Sequence, residues 1–369
     1  MRLAVFCSIL SPWSRQAVLR LVELGNEVHV IDFSTQGQHD YLHERSEVFG
    51  RDIAYMRRRI AGVHLIRNAS GSRLRYIVYA RKLGRICRDI DADVLLTLWG
   101  GGWAVMSYLS GFRPYAVFVG GGDILRVSGW QKLVSHYALT EARVVFANGQ
   151  YFAERTRAFA PKANVVPLYY GVDPDRFKPI DSSADYLRIV CTRGFSEVYN
   201  NGYLIEGMAN LDKEIQNIEV VFTSPGRLLA ETMEKADRLL PAEIRDRVMF
   251  RNGVTDDEML DILQNSNIYV SLSRYDGTSI SLLEALSCGL FPVLSDIPQN
   301  REWVNPLREN GLLVPLDSPA DLSEALAKAI RSVELRHRAR AANRGLILER
   351  ADGRKNMQIL TSKLESFIS

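Results

Sequence analysis

Ser271-Leu272-Ser273-Arg274-Tyr275-Asp276-Gly277-Thr278-Ser279-Ile280-Ser281-Leu282-Leu283-Glu284-Ala285-Leu286-Ser287-Cys288-Gly289 changes its periodicity halfway along. The apolar run 268–272 reads as a strand buried on both faces, and from Ser279 onward apolar residues recur at helical spacing. Between them a polar stretch holds Asp276 and Gly277, so the segment is a strand, a short loop and a helix. A helix that begins directly after such a loop presents free backbone N–H groups, an anion site suited to a diphosphate. Glu284 lies about one and a half turns into that helix, among Leu282, Leu283, Ala285 and Leu286, where it has little structural reason to be. A carboxylate at that depth can accept both hydroxyls of a ribose. Asp276 and Ser279 equally suit capping of the helix.

The same strand-loop-helix unit repeats outward in both directions. Apolar runs at 187–192, 218–222, 248–250 and 291–294 alternate with helical stretches such as 258–264 and 280–286. Upstream, runs at 3–9, 28–33, 94–98, 116–119, 144–147 and 165–166 follow the same rhythm. Such alternation predicts an α/β protein with parallel strands joined by right-handed crossovers. The polar stretch 179–185 resembles a linker, and 369 residues suffice for two doubly wound, Rossmann-like domains. The first is expected over 1–182 and the second over 183–351, with an amphipathic helix in 352–369 packing back on the first. Ligands are expected beyond the carboxyl ends of both sheets, in the cleft between the domains.

Composition bounds the partners. A net charge of +3 argues against a general nucleic-acid binder. The average hides segment 51–88, which holds eleven basic residues and one acid, Asp52. If 73–88 is helical, Tyr76, Tyr79, Ala80, Leu83, Ile86 and Cys87 share one face, and Arg81, Lys82, Arg85 and Arg88 the other. That basic face suits either plain solvation or an anionic membrane surface. Cys7, Cys87, Cys191 and Cys288 lie far apart, indicating neither a zinc site nor a disulfide framework. Stretch 94–112 carries no charge over nearly a membrane-spanning length, but Gly100, Gly101 and Gly102 interrupt it, so it reads as strand, loop and helix. Neither this glycine triplet nor Gly120-Gly121-Gly122-Asp123 completes a dinucleotide fingerprint, because Val105 and Leu125 occupy the last glycine position.

Asp276-x7-Glu284, continued by Ala285-Leu286-Ser287-Cys288-Gly289-Leu290-Phe291-Pro292-Val293, resembles the Glu-x7-Glu signature of retaining glycosyltransferases of family four, which have the GT-B fold. Tyr170-Gly171-Val172-Asp173 resembles the family's Asn-Gly-Val-Asp segment, Asn310-Gly311-Leu312-Leu313-Val314 its late strand, and Ala351-Asp352 its C-terminal crossing. The resemblance implies transfer of a sugar from a UDP- or GDP-linked donor to a hydroxyl acceptor, for example a lipid-linked or cell-surface polysaccharide precursor, in the cytoplasm and within reach of a membrane. It implies no cofactor and no metal; Asp91-Ala92-Asp93 spells D-x-D but reads as a turn before a strand.

By the same resemblance Glu284 would bind the ribose, Asp276 the transferred sugar, and Gly277, Thr278, Ser279 and Ile280 sugar and diphosphate. Arg193 matches the phosphate-binding arginine and Gly253 with Val254 would meet the base. Asn201 lies where the family places a lysine. Ser11, Gly101 and Gly121 belong to the loops expected to meet acceptor or phosphate, and Asp123 to a catalytic loop. Four departures stand out: the lysine after Arg193 is replaced by Asn200-Asn201-Gly202, and a His-Gly-x-Asp loop appears as Gly120-Gly121-Gly122-Asp123. The loop after the first strand is Ser11-Pro12-Trp13-Ser14, and Asp276 stands in place of the first glutamate. A nucleotide-sugar binding protein without turnover, or an epimerase of the same architecture, remains compatible with these residues.

Overall fold

The computed structural model describes residues 1–33, 53–67, 74–121, 129–181, 186–211 and 218–368. Asp123, and Arg51, Asp52 and Arg73 of the basic segment, lie outside them. The chain divides into two compact units, Met1–Tyr170 with Arg354–Ser369, and Gly171–Gly353.

The first unit is a seven-stranded parallel sheet. Its strands are β1 (Arg2–Cys7), β2 (Glu27–Asp32), β3 (Gly62–Leu65), β4 (Val94–Thr97), β5 (Tyr115–Val119), β6 (Val144–Ala147) and β7 (Val165–Pro167), in the order β3-β2-β1-β4-β5-β6-β7. β4, β5 and β6 are buried throughout, as uninterrupted apolar runs require when both faces are covered. β3 escapes the sequence reading because it is a short edge strand, half-exposed and embedded in basic residues, with no apolar run to mark it.

The uncharged stretch resolves into β4, a glycine turn and the helix Gly102–Leu109. Gly101 supports that turn with a φ of 54°, a conformation that costs a residue with a Cβ. Among the described residues no helix is long and apolar enough to cross a membrane. Ser11 is the N-cap of the helix Pro12–Glu23 and accepts from the Ser14 amide, so the expected loop is shorter than its sequence suggests. Asp91 and Asp93 lie in the turn before β4, where an Asp93 carboxylate oxygen accepts from the Arg2 amide at 2.6 Å. The helix Gly353–Glu365 belongs with this unit, and Asn356 donates to the Tyr169 carbonyl at 2.9 Å.

The second unit is a six-stranded parallel sheet of β8 (Leu187–Cys191), β9 (Ile218–Phe222), β10 (Val248–Phe250), β11 (Ile268–Ser271), β12 (Phe291–Ser295) and β13 (Leu312–Val314), ordered β10-β9-β8-β11-β12-β13. Its core gathers Phe195, Phe222 and the partly buried Phe250, with the last two rings stacked at 5.0 Å. The helices Asn201–Ala209 and Pro319–Arg331 approach so closely that a Cβ on Gly207 would stand 2.6 Å from Leu322.

This unit begins at Gly171, ahead of the polar stretch read as a linker. Phe177 is tied into it, its carbonyl accepting from Ser287 Oγ at 2.5 Å and Arg344 Nη1 at 2.7 Å. Val172 bridges to Asp352, so the two ends of the unit lie side by side.

Candidate functional site

In the second sheet consecutive strands run from β8 to one edge through β9 and β10, and from β11 to the other through β12 and β13. Strand order therefore reverses between β8 and β11. The loops leaving their carboxyl ends diverge, which opens space for a ligand at that point of an open parallel sheet. Arg193 stands two residues beyond β8 and Asp276 five beyond β11. The two residues the sequence singled out, 83 positions apart, thus meet here.

Arg193 Nη2 donates to Asp276 Oδ2 at 2.6 Å, and Nη1 donates to Ser279 Oγ at 2.7 Å and Ser281 Oγ at 3.3 Å. The guanidinium lies over the Tyr199 ring, 4.1 Å from its centre. Asp276 Oδ1 accepts from the Gly277 amide at 2.8 Å, which fixes the carboxylate on its own loop. Burial is the strongest influence on both charges. It raises the Asp276 carboxyl above the ordinary carboxylate value, against the pull of Arg193 and the Gly277 amide. Burial also opposes the charge on Arg193, but Asp276, together with Tyr269, Tyr199 and Cys191, outweighs it and holds the guanidinium a cation.

Ser279 is the N-cap of the helix Ile280–Ser287 and accepts from the Leu282 amide at 3.4 Å. Capping and site formation coincide here, since the same hydroxyl takes a hydrogen bond from Arg193. The first turn of this helix adds its backbone N–H groups and positive dipole end to the cation. Along the helix Leu282, Leu283, Ala285 and Leu286 are buried, while Ile280, Ser281 and Glu284 are half-buried. Positions three and four apart share a helix face, so Glu284 projects on the side that carries Ser281 and hence Arg193.

Asn201 is occupied with the backbone. Its Nδ2 donates to the Arg193 carbonyl at 2.9 Å and the Gly194 carbonyl at 3.3 Å, which pins the loop that carries the guanidinium. Where the resemblance expects a lysine, the cations at hand are Arg274, with Nη2 3.4 Å from Asn200 Oδ1, and Lys235, paired with Glu206 at 2.6 Å. Both line a cavity of about 330 Å³ that also borders Asn201. Gly253, at a φ of 99°, and Val254 follow β10 at the same end of the sheet, just before the capping box of Thr255 and Glu258.

Sequence reasoning missed three members of the cluster. Ser281 was visible in the Ser279-x-Ser281 spacing. Tyr269, inside β11, gave no signal, yet its hydroxyl lies 3.3 Å from Thr192 Oγ1 and 3.2 Å from Ser281 Oγ. Tyr199 was one aromatic in a polar loop, and only the fold puts it under Arg193.

In the first unit the corresponding reversal of strand order falls between β1 and β4. Ser11 lines a cavity there, Gly101 precedes the helix that carries Trp103, and Gly121 follows β5 with a φ of 137°.

Residues 174–345 match the family model described as glycosyl transferases group 1. Over 253 residues, 65% of each chain, the protein is 26% identical to D-rhamnosyltransferase WbpZ of Pseudomonas aeruginosa. Over 89 residues, 23% of each chain, it is 33% identical to the GDP-mannose:cellobiosyl-diphosphopolyprenol alpha-mannosyltransferase of Xanthomonas oryzae pv. oryzae. It thus spans about two thirds and about a quarter of the lengths of these two relatives. Among solved structures, Anabaena Alr3699/HepE in complex with UDP superposes with a TM-score of 0.79 at 15% identity, covering 99% of this chain and 100% of that one.

Proposed function

We propose, on the premise that residues 174–345 match the family model of group 1 glycosyl transferases, a retaining, metal-independent transfer of a sugar from a UDP- or GDP-linked donor to a hydroxyl acceptor. The second unit binds the donor and the first unit the acceptor. One observation carries this reading: Arg193, Asp276, Ser279 and Ser281 converge on the N-terminus of the helix that bears Glu284, at the reversal of strand order.

The chemistry follows from the charges. Cleavage of the bond between the sugar's anomeric carbon and the diphosphate oxygen builds negative charge on the leaving group. Arg193 and the helix N-terminus stabilise that charge without a metal. The acceptor oxygen forms its new bond on the face the diphosphate leaves, and the departing phosphate oxygen takes the acceptor's proton. Asp276 orients a sugar hydroxyl and Glu284 accepts from the ribose hydroxyls.

A thermal-shift panel of GDP, UDP and ADP tests the donor half. Stabilisation follows RT ln(1 + [L]/Kd), about 2.7 kcal/mol at a hundredfold excess over Kd, so the right base stands apart. The name of the Xanthomonas relative puts GDP first. We expect its shift to survive EDTA; no shift from any diphosphate, or one that chelation abolishes, overturns the reading.

A membrane-facing acceptor is favoured by the helix Leu74–Asp89. Ala80, Leu83 and Cys87 are buried, whereas Arg81, Lys82, Arg85 and Arg88 are exposed. Ile77 and Val78 also reach solvent, at 41% and 61% exposure, one turn before Arg81 and Lys82. Cations beside exposed apolar side chains suit an anionic lipid surface, where each adds about 1 kcal/mol. Charge reversal at Arg81 and Arg85 should weaken sedimentation with phosphatidylglycerol vesicles by roughly tenfold or more. Unchanged sedimentation removes this part of the proposal.

A further inference from the structure

The first sheet reverses its strand order between β1 and β4, and the cavity at that point measures about 360 Å³. Ser8, Ser11, Ser14, Trp99 and Trp103 line it together with Leu10 and Leu98, and none of these side chains is charged. A diphosphate or a phosphate headgroup finds no counter-charge in such a lining. A purely apolar chain would bury the three hydroxyls unfavourably.

The two tryptophans are held in place. Trp103 packs against Phe6 at 4.7 Å and Phe33 at 5.2 Å between ring centres. A Cβ on Gly120 would stand 3.0 Å from Cζ3 of Trp99, so the absence of a side chain at 120 is what admits that ring edge. Trp99 as a whole stays 42% exposed. Ser11 Oγ accepts from the Ser14 amide, which leaves its own O–H to donate. A fixed, half-open aromatic face beside hydroxyls matches a pyranose, whose C–H face is apolar and whose rim is polar on all sides.

We propose that this cavity is a saccharide subsite, with a pyranose ring stacked on Trp99 and its hydroxyls hydrogen-bonded to Ser8 and Ser11. The inference deepens the acceptor role assigned to the first unit: the group presented for glycosylation is a sugar, and any phosphate or lipid of the acceptor lies outside this cavity.

Saturation-transfer NMR on the full-length protein tests it, with methyl glycosides of mannose, glucose, galactose, rhamnose and N-acetylglucosamine, and cellobiose, as probes. We expect transfer to ring protons of at least one probe, loss of at least tenfold in affinity in Trp99→Ala, and partial retention in Trp99→Phe, which keeps an aromatic face. Inorganic phosphate should not compete. No transfer from any probe, equal binding by Trp99→Ala, or displacement by phosphate overturns the proposal. GDP and UDP binding, followed in the same samples, separates the two readings. Saccharide binding without nucleotide binding sinks the donor assignment alone, whereas nucleotide binding without saccharide binding sinks this inference alone. A far-UV circular dichroism spectrum and melting curve of Trp99→Ala that match the wild type show that the first unit has folded.

Discussion

Arg193→Ala is expected to lower kcat by about 10²–10³-fold, the usual cost of removing one preorganised donor from a developing anion. The guanidinium joins Asp276, Ser279 and Ser281, so its loss removes the cation and releases the loop of Asp276 together. Stability falls as well. Asp276 and Arg193 side chains are 17% and 12% exposed, and breaking a pair so buried by removing one partner costs about 3–5 kcal/mol. The two effects separate in Arg193→Lys, which keeps a cation but loses the fork that reaches three oxygens. It should recover much of the melting temperature and little of the turnover. Melting curves and initial rates measured together check this. A lysine variant with full turnover would show that only charge is needed, and an alanine variant with full turnover would remove Arg193 from the site.

Glu284→Ala should weaken nucleoside diphosphate binding by about 10–100-fold, since hydrogen bonds to a charged group contribute about 1.5–3 kcal/mol. The packed core of the helix should survive the change, because leucines and alanine fill its packed face while Glu284 stands on the half-buried one. Calorimetry with the 2′-deoxy nucleotide supplies an internal control. If Glu284 accepts from the ribose, the deoxy ligand binds the wild type weakly, and Glu284→Ala discriminates less between the two ligands. Equal affinity of the wild type for ribo- and deoxynucleotide would refute the assigned role.

Much of the architecture was legible because buried parallel strands write themselves as unbroken apolar runs. The runs at 218–222, 248–250 and 144–147 coincide with β9, β10 and β6 to the residue. β3 was not legible, since an edge strand need not be apolar. The junction of the units was misplaced for a similar reason. Polar composition at 179–185 looks like a linker, but Phe177 and Val172 already belong to the second unit through contacts with Ser287, Arg344 and Asp352, over a hundred residues away.

The amino-acid order alone determined two series of strand-loop-helix units, a helix N-terminus after Gly277, and the face of the helix 280–287 on which Glu284 stands, because periodicity and capping are local properties. Only the tertiary structure decided that Arg193 and Asp276 pair, that Asn201 holds the arginine loop in place of contributing a charge, and that Tyr199, Tyr269 and Ser281 complete the cluster. Those contacts join strands that the parallel crossovers make neighbours across 83 residues of chain, and no local periodicity encodes which loops such crossovers bring together.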